Sequence, residues 1–161
     1  MRRRLRLAMA LVLCVVLIAL AGVIYVRTIG SDPDFWHVDP TMAARTGKPN
    51  DALVLPGGRP PADMASPVIA AEPEALAQRF HEFVINAPRT EVLAGGPETG
   101  LTTYIQRSRW VGWPDYISVK ATPAEGGAAL AIWSRARFGY SDLGVNRDRV
   151  ERWLTALQAR G

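Results

Sequence analysis

Between Ser134 and Arg147 the chain gathers Arg135, Arg137, Tyr140, Ser141, Asp142, Asn146 and Arg147, the densest set of polar side chains in the sequence. Arg135 and Arg137 are two residues apart, a spacing that puts both on one face of a β-strand. With the following loop curled back above them, Arg147 would join as a third guanidinium near a helix N-terminus. That combination suits a carboxylate or a phosphate. The structural alternative is an ion pair between Asp142 and one of these arginines that pins the loop, with Gly139 and Gly144 serving the turns.

Aromatic residues form a second group. Trp110 and Trp113 flank Gly112, with Tyr116 and Trp133 further on. Two indoles at a turn fit a membrane interface, because each joins an apolar body to one polar N–H. Packed inward instead, they would lie on Phe35, Trp36 or a sheet. Trp133 with Arg135, and with Arg107 or Arg109, also fits cation–π packing.

A third group, His37 with Ser141 and Asp39 or Asp142, has the residue types of a hydrolase or lyase, but no nucleophile-elbow spacing accompanies it. His81 falls between Phe80 and Phe83 and reads as a half-exposed helix residue. His37 and Asp39 alone do not complete a metal site, so no metal and no cofactor are expected. Catalytic residues are assigned to none of these positions.

The elements that must hold these groups follow from pattern. Pro73 is suited to a first helical position, and Leu76, Phe80, Phe83 and Val84 then recur as one stripe, with Pro88 as the stop. Strand character follows over Thr90 to Leu93, Leu101 to Arg107, Tyr116 to Ala121 and Ala128 to Arg137, divided by Gly95-Gly96-Pro97 and Glu125-Gly126-Gly127. Ile117, Val119 and Ala121 share one face, as do Leu130 and Ile132; Ser118, Lys120, Trp133, Arg135 and Arg137 point the other way. Asn146 is the expected N-cap of a last helix carrying Val150, Trp153, Leu154 and Leu157. The fold class is therefore α+β: a two-layer sandwich of an antiparallel sheet of about four strands, covered by two helices.

Upstream, Leu7 to Val26 is an uncharged apolar run of bilayer-spanning length, preceded by Arg2, Arg3, Arg4 and Arg6 and closed by Arg27. The arginines favour a cytoplasmic N-terminus. Ala19-Leu20-Ala21 also permits cleavage after Ala21, but the greasy continuation through Val26 favours a retained anchor. Leu13 before Cys14 does not match a lipidation signal. The net charge of +4 resides wholly in those four arginines, since the 15 acidic residues all lie from Arg27 onward with the other 15 basic ones. A neutral exported part gives little drive for nucleic-acid binding, and without cysteine it has no disulfides or thiol chemistry. Residues 28–67 contain seven of the 12 prolines and read as a connection, with Phe35 to Val38 and Ala52 to Leu55 as apolar islands that dock on the domain, Leu53 to Leu55 as an edge strand. The division is thus 1–27 tip and transmembrane anchor, 28–67 connection, 68–161 domain.

Trp113-Pro114-Asp115-Tyr116-Ile117-Ser118-Val119 and the run from Ser134 through Phe138-Gly139-Tyr140-Ser141-Asp142-Leu143-Gly144-Val145-Asn146-Arg147 resemble the signature of the domain-of-unknown-function family 1499. Asp34-Phe35-Trp36-His37-Val38-Asp39-Pro40 and Gly47-Lys48-Pro49-Asn50-Asp51 are similar to the preceding stretch of its members. The resemblance implies a membrane-attached or extracytoplasmic bacterial domain and brings no activity, cofactor or catalytic residue. Taken together, the expectation is a single-pass protein of the bacterial inner membrane with a periplasmic domain, a non-catalytic binding or scaffold module. Its partners would be membrane lipid through Leu7 to Val26 and an anionic ligand or envelope protein.

Overall fold

The computed structural model describes residues 1–159. Helix α1 (Arg2–Thr28) carries the apolar run and is long and apolar enough to cross a membrane. Of its residues only Val26 is buried against the rest of the protein. Arg27, a cation in the last turn where the helix dipole favours one, donates through Nη2 to the Trp110 carbonyl at 2.8 Å and through Nε to the Val111 carbonyl at 3.2 Å. The end of α1 is thereby fastened to the domain.

A strap follows. Its short helix α2 (Pro33–Trp36) starts where the Asp32 side chain accepts from the Asp34 amide, and a 3-10 turn over Pro40–Met42 is capped in the same way by Asp39. The chain then enters a six-stranded sheet built of β1 (Asp51–Pro56), β2 (Met64–Ser66), β3 (Thr90–Gly96), β4 (Leu101–Arg107), β5 (Pro114–Ala124) and β6 (Gly127–Ala136). The spatial order is β2-β1-β6-β5-β4-β3. Neighbours are antiparallel except β1 and β2, which run parallel. Helices α3 (Pro73–Ile85) and α4 (Val145–Gln158) pack on one face. There Leu76, Phe80, Val84, Val150, Trp153, Leu154 and Leu157 meet Ala52, Val54, Tyr104, Ile117, Val119, Leu130 and Ile132.

The sheet is thus larger than the expected four strands and is mixed rather than antiparallel. Both added strands come from the stretch read as a connection. Ala52, Leu53 and Val54 are all fully buried, because the helices cover one face of β1 and the strap covers the other. Such a strand shows a continuous apolar run without alternation. It lies inside the sheet, with β2 outside it, and is not the edge. Pro123 is tolerated in β5 because β4 no longer pairs at that point, so its missing N–H breaks no ladder bond.

The last helix also differs from expectation. Its N-cap is Gly144, at φ 85, and Asn146 lies inside the helix, fully buried. Capping is done by Asp142, whose carboxylate accepts from the Gly144 amide at 3.0 Å and the Asn146 amide at 2.7 Å. The Asn146 side chain turns inward to Ser134 and Arg149.

Candidate functional site

The sheet face opposite the helices carries the group that the alternation of β6 assigned there. Trp133 and Arg135 are buried on it, and Arg137 follows just beyond the strand. The strap lays Trp36 over them. Arg135 sits between two indoles, its guanidinium carbon 3.9 Å from the Trp133 ring centre and 5.2 Å from that of Trp36. Trp36 in turn stacks on Tyr116 at 3.7 Å with the rings 9° from parallel. Arg137 donates through Nη1 to the Tyr116 hydroxyl and to the Gly30 carbonyl, at 2.9 and 2.8 Å. Ser31 hydrogen-bonds the same hydroxyl.

Charge balance around Arg135 is incomplete. Its Nη2 donates to the Trp36 carbonyl at 2.6 Å, while Nη1 is buried without a hydrogen-bond partner, alone among the described side chains in that respect. The carboxylate directly across the ladder is Asp51. That carboxylate is already engaged by Arg45 from two nitrogens, at 2.7 and 3.0 Å, and by the Trp133 indole N–H at 2.8 Å. Burial therefore dominates and pushes the Arg135 guanidinium down to about 10, with Asp51 only partly opposing it. Arg45, held by Asp51 and Asp63, is raised instead.

Arg135 and Arg137 line a cavity of about 540 Å³. Its walls include Phe35, Val38, Met42 and Phe138, with Lys48 and Asn50 adding polarity on the β1 side. The volume is that of an ordinary small-molecule site, and the mixture of aromatic walls with a few fixed polar groups is what such sites use. A guanidinium held flat between indoles can offer its N–H edge to a carboxylate or phosphate.

The other sequence-identified residues are placed elsewhere. Arg147 is exposed and pairs with Glu151 at 2.9 Å, one helical turn on, so three guanidiniums do not converge. Asp142 serves as the helix cap described above, and no arginine pairs with it among the described residues. Ser141 accepts from the Leu143 amide, and Tyr140 is exposed. His37 reaches Thr103, with its Nδ1 2.9 Å from the hydroxyl, and Thr103 continues to Ser118 at 3.0 Å. No hydrogen bond joins His37 to Ser141 or Asp142 among the described residues, and Asp39 is taken by Lys120 at 2.6 Å. Burial would raise the Asp39 carboxyl, but the Lys120 bond, helped by Thr41, holds it below the usual value. Trp110 is largely exposed with Arg109 over its ring at 4.9 Å, and Trp113 is half-exposed against Phe138 at 5.2 Å.

Two features escaped sequence reasoning. Trp36 is the cover of the Arg135 site, and only its place in an apolar island hinted that it docks. Arg149 is buried on the helix face, donating to Gln106, Ser134, Asn146 and, at 2.6 Å, Asp115. Burial raises the Asp115 carboxyl despite that arginine. The recurrence of Asn146, Arg149, Val150 and Trp153 on the inner side of α4 carried a signal for this network, since polar residues at core spacing require partners.

Comparison with curated proteins and with solved structures finds no match. The model of the family described as "Protein of unknown function (DUF1499)" matches residues 41–157, a span that covers the whole sheet, α3 and nearly all of α4, and that begins after the strap residues Phe35, Trp36 and Val38 of the Arg135 cavity; the chain belongs to that family.

Proposed function

We propose that this protein is a membrane-anchored binding module whose ligand presents an anionic group, a carboxylate or a phosphate, to Arg135. The observation that carries this reading is the buried Nη1 of Arg135, which has no partner in a residue whose neighbouring carboxylate is already committed. A buried cation is normally paired, and removing it from water without an anion is costly. An anion entering beside Trp36 would supply the missing acceptor and the missing charge together. Arg137, over the Phe138 ring, lines the same cavity and adds a second cation. The apolar walls favour a ligand with a hydrophobic body over a bare inorganic ion. In this reading α1 spans the bacterial inner membrane with Arg2, Arg3, Arg4 and Arg6 in the cytoplasm, and the domain works on the periplasmic side. Catalysis has no comparable support, because His37 is bonded to Thr103 and stands apart from Ser141 and Asp142 in the hydrogen-bond network.

The test is titration of the full chain, held in nanodiscs of zwitterionic lipid, with inorganic phosphate, a medium-chain fatty acid and a short-chain phosphatidylglycerol. Of the five indoles that contribute to the fluorescence, Trp36 and Trp133 flank Arg135, and the part of a response that Arg135→Met removes is assigned to them. Saturable quenching or a blue shift by at least one probe, abolished in Arg135→Met, is the expected result. A response that survives Arg135→Met, or no response to any of the three, overturns the reading.

A further inference from the structure

Two loops lie at the same end of the sheet. One joins β4 to β5 and carries Trp110 and Trp113; the other joins β6 to α4 and carries Tyr140 and Leu143. Trp113 and Phe138 bridge them, ring to ring. The side chains they leave bare are large and apolar: Trp110 is 78% exposed, Tyr140 71% and Leu143 92%, with Val145 beside them at 48%. Single exposed apolar residues are common, but a contiguous rim on two facing loops marks an interaction surface.

The end of α1 identifies what that surface meets. Arg27, the residue that closes the apolar run, is the one that grips the Trp110 and Val111 carbonyls, and its side chain packs 3.0 Å from where a Gly112 Cβ would lie. Gly30, three residues later, is held by Arg137 beside the second loop. Both loops are therefore fastened at the level where α1 leaves its apolar environment. Charge agrees with that placement. Arg27, Arg89, Arg107 and Arg109 border one hollow with Gly112, and among the described residues Glu91 is the only acid lining it. Arg27 and Arg89 spend hydrogen bonds on backbone carbonyls, which neutralise no charge, while Arg107 is paired with Glu91 at 3.7 Å.

We infer that this rim is seated in the bilayer that α1 crosses, with Trp110, Tyr140 and Leu143 in the interface and the arginine hollow facing anionic headgroups. Indoles and phenols partition to the headgroup region, and juxtamembrane cations are drawn to acidic lipid. The inference rests on α1 spanning a membrane, and not on the Arg135 site. Its consequence for the fold is a fixed pose: the β5–β6 turn at Glu125 points away from the lipid, at the far end of the sheet.

The experiment is site-directed spin labelling of the full chain in vesicles of phosphatidylcholine mixed with phosphatidylglycerol. Labels go on Trp110→Cys, Leu143→Cys and Glu125→Cys, each in a Cys14→Ser background, and on the native Cys14 of the unaltered chain. Collisions with oxygen, which concentrates in lipid, are compared with collisions with a water-soluble nickel chelate. The labels at 110 and 143 should favour oxygen over the chelate, with the ratio reversed at 125. Quenching of native tryptophan by brominated phospholipid should likewise fall in Trp110→Phe, which needs no label. Labels at 110 and 143 as chelate-accessible as that at 125, while Cys14 is in lipid, overturn the rim and leave the anchor standing. A Cys14 label in water overturns both. Labels at 110 and 143 shielded from both reagents indicate a protein contact and also overturn the inference.

Discussion

Arg135→Met removes a buried charge whose neighbouring carboxylate, Asp51, is already engaged by Arg45, so the sign of its effect on stability discriminates between two roles. The guanidinium is pushed down from its ordinary value to about 10, chiefly by burial. That difference corresponds to roughly 3 kcal/mol against the charged form. Truncation gives up the bond to the Trp36 carbonyl, about 1–2 kcal/mol for a charged donor, but that carbonyl keeps the Ser118 hydroxyl as a donor at 3.4 Å. The stacking on Trp36 and Trp133 is largely replaced, since a thioether between two rings has favourable contacts of its own. The ligand-free variant should therefore be more stable than the parent by about 1 kcal/mol, a rise of ~3–4 °C in Tm. A saturating ligand should reverse the order, because binding at about 100 times Kd adds ~2.7 kcal/mol to the parent alone. Thermal unfolding of both full-length proteins in nanodiscs, with and without the anionic probe that binds, measures this. A ligand-free variant destabilised by more than about 2 kcal/mol would refute the reasoning, and Arg135 would then be a structural tie.

On the helix face the arithmetic has the opposite sign. Asp115→Ala strands the Arg149 charge among neutral acceptors and should cost about 3 kcal/mol in urea unfolding; adding Arg149→Met should recover most of the loss. Burial raises the Tyr104 phenol from 10.0 to about 12, beside His81. Below pH 10 the phenol is neutral in both folded and unfolded chains. Between pH 10 and 12 only the unfolded chain ionises, so stability should fall across that window by about 2–3 kcal/mol relative to Tyr104→Phe, followed by near-UV circular dichroism.

What the sequence revealed and what it concealed divide along physical lines. The stripe from Leu76 to Val84 was legible because the helix buries one face, and burial of one face leaves a period; the run Leu101 to Arg107, buried on both faces from Thr102 to Ile105, was legible from its β-branched and aromatic residues and the glycines before it. The same alternation placed Trp133 and Arg135 on the correct side of β6. β1 was only half legible: covered on both faces, it has no alternation to read. Trp36 was hidden for a related reason, since its role depends on Tyr116 and Arg135, both distant in the chain, and not on its neighbours. Arg147 misled because proximity in sequence placed it near Arg135, whereas one turn of α4 carries it to the surface. Asn146 fitted the chemistry of a cap, yet Asp142, four residues earlier, already occupies that role and frees Asn146 to face the core.

The order of strands also dictates when this chain can fold. β1, the first strand made, finds its long partner only in β6, and Asp51 must wait for Arg135. Closing so large a loop is entropically slow, and non-local pairing of this kind retards folding. As the chain emerges N-terminus first, the strap, β1 and β2 have no surface to settle on until most of the sequence has followed. The C-terminal third can begin on its own, because β5 and β6 form a hairpin across a tight turn at Glu125 and Gly126. The N-terminal third should therefore assemble last, closing over Arg135 as the final step.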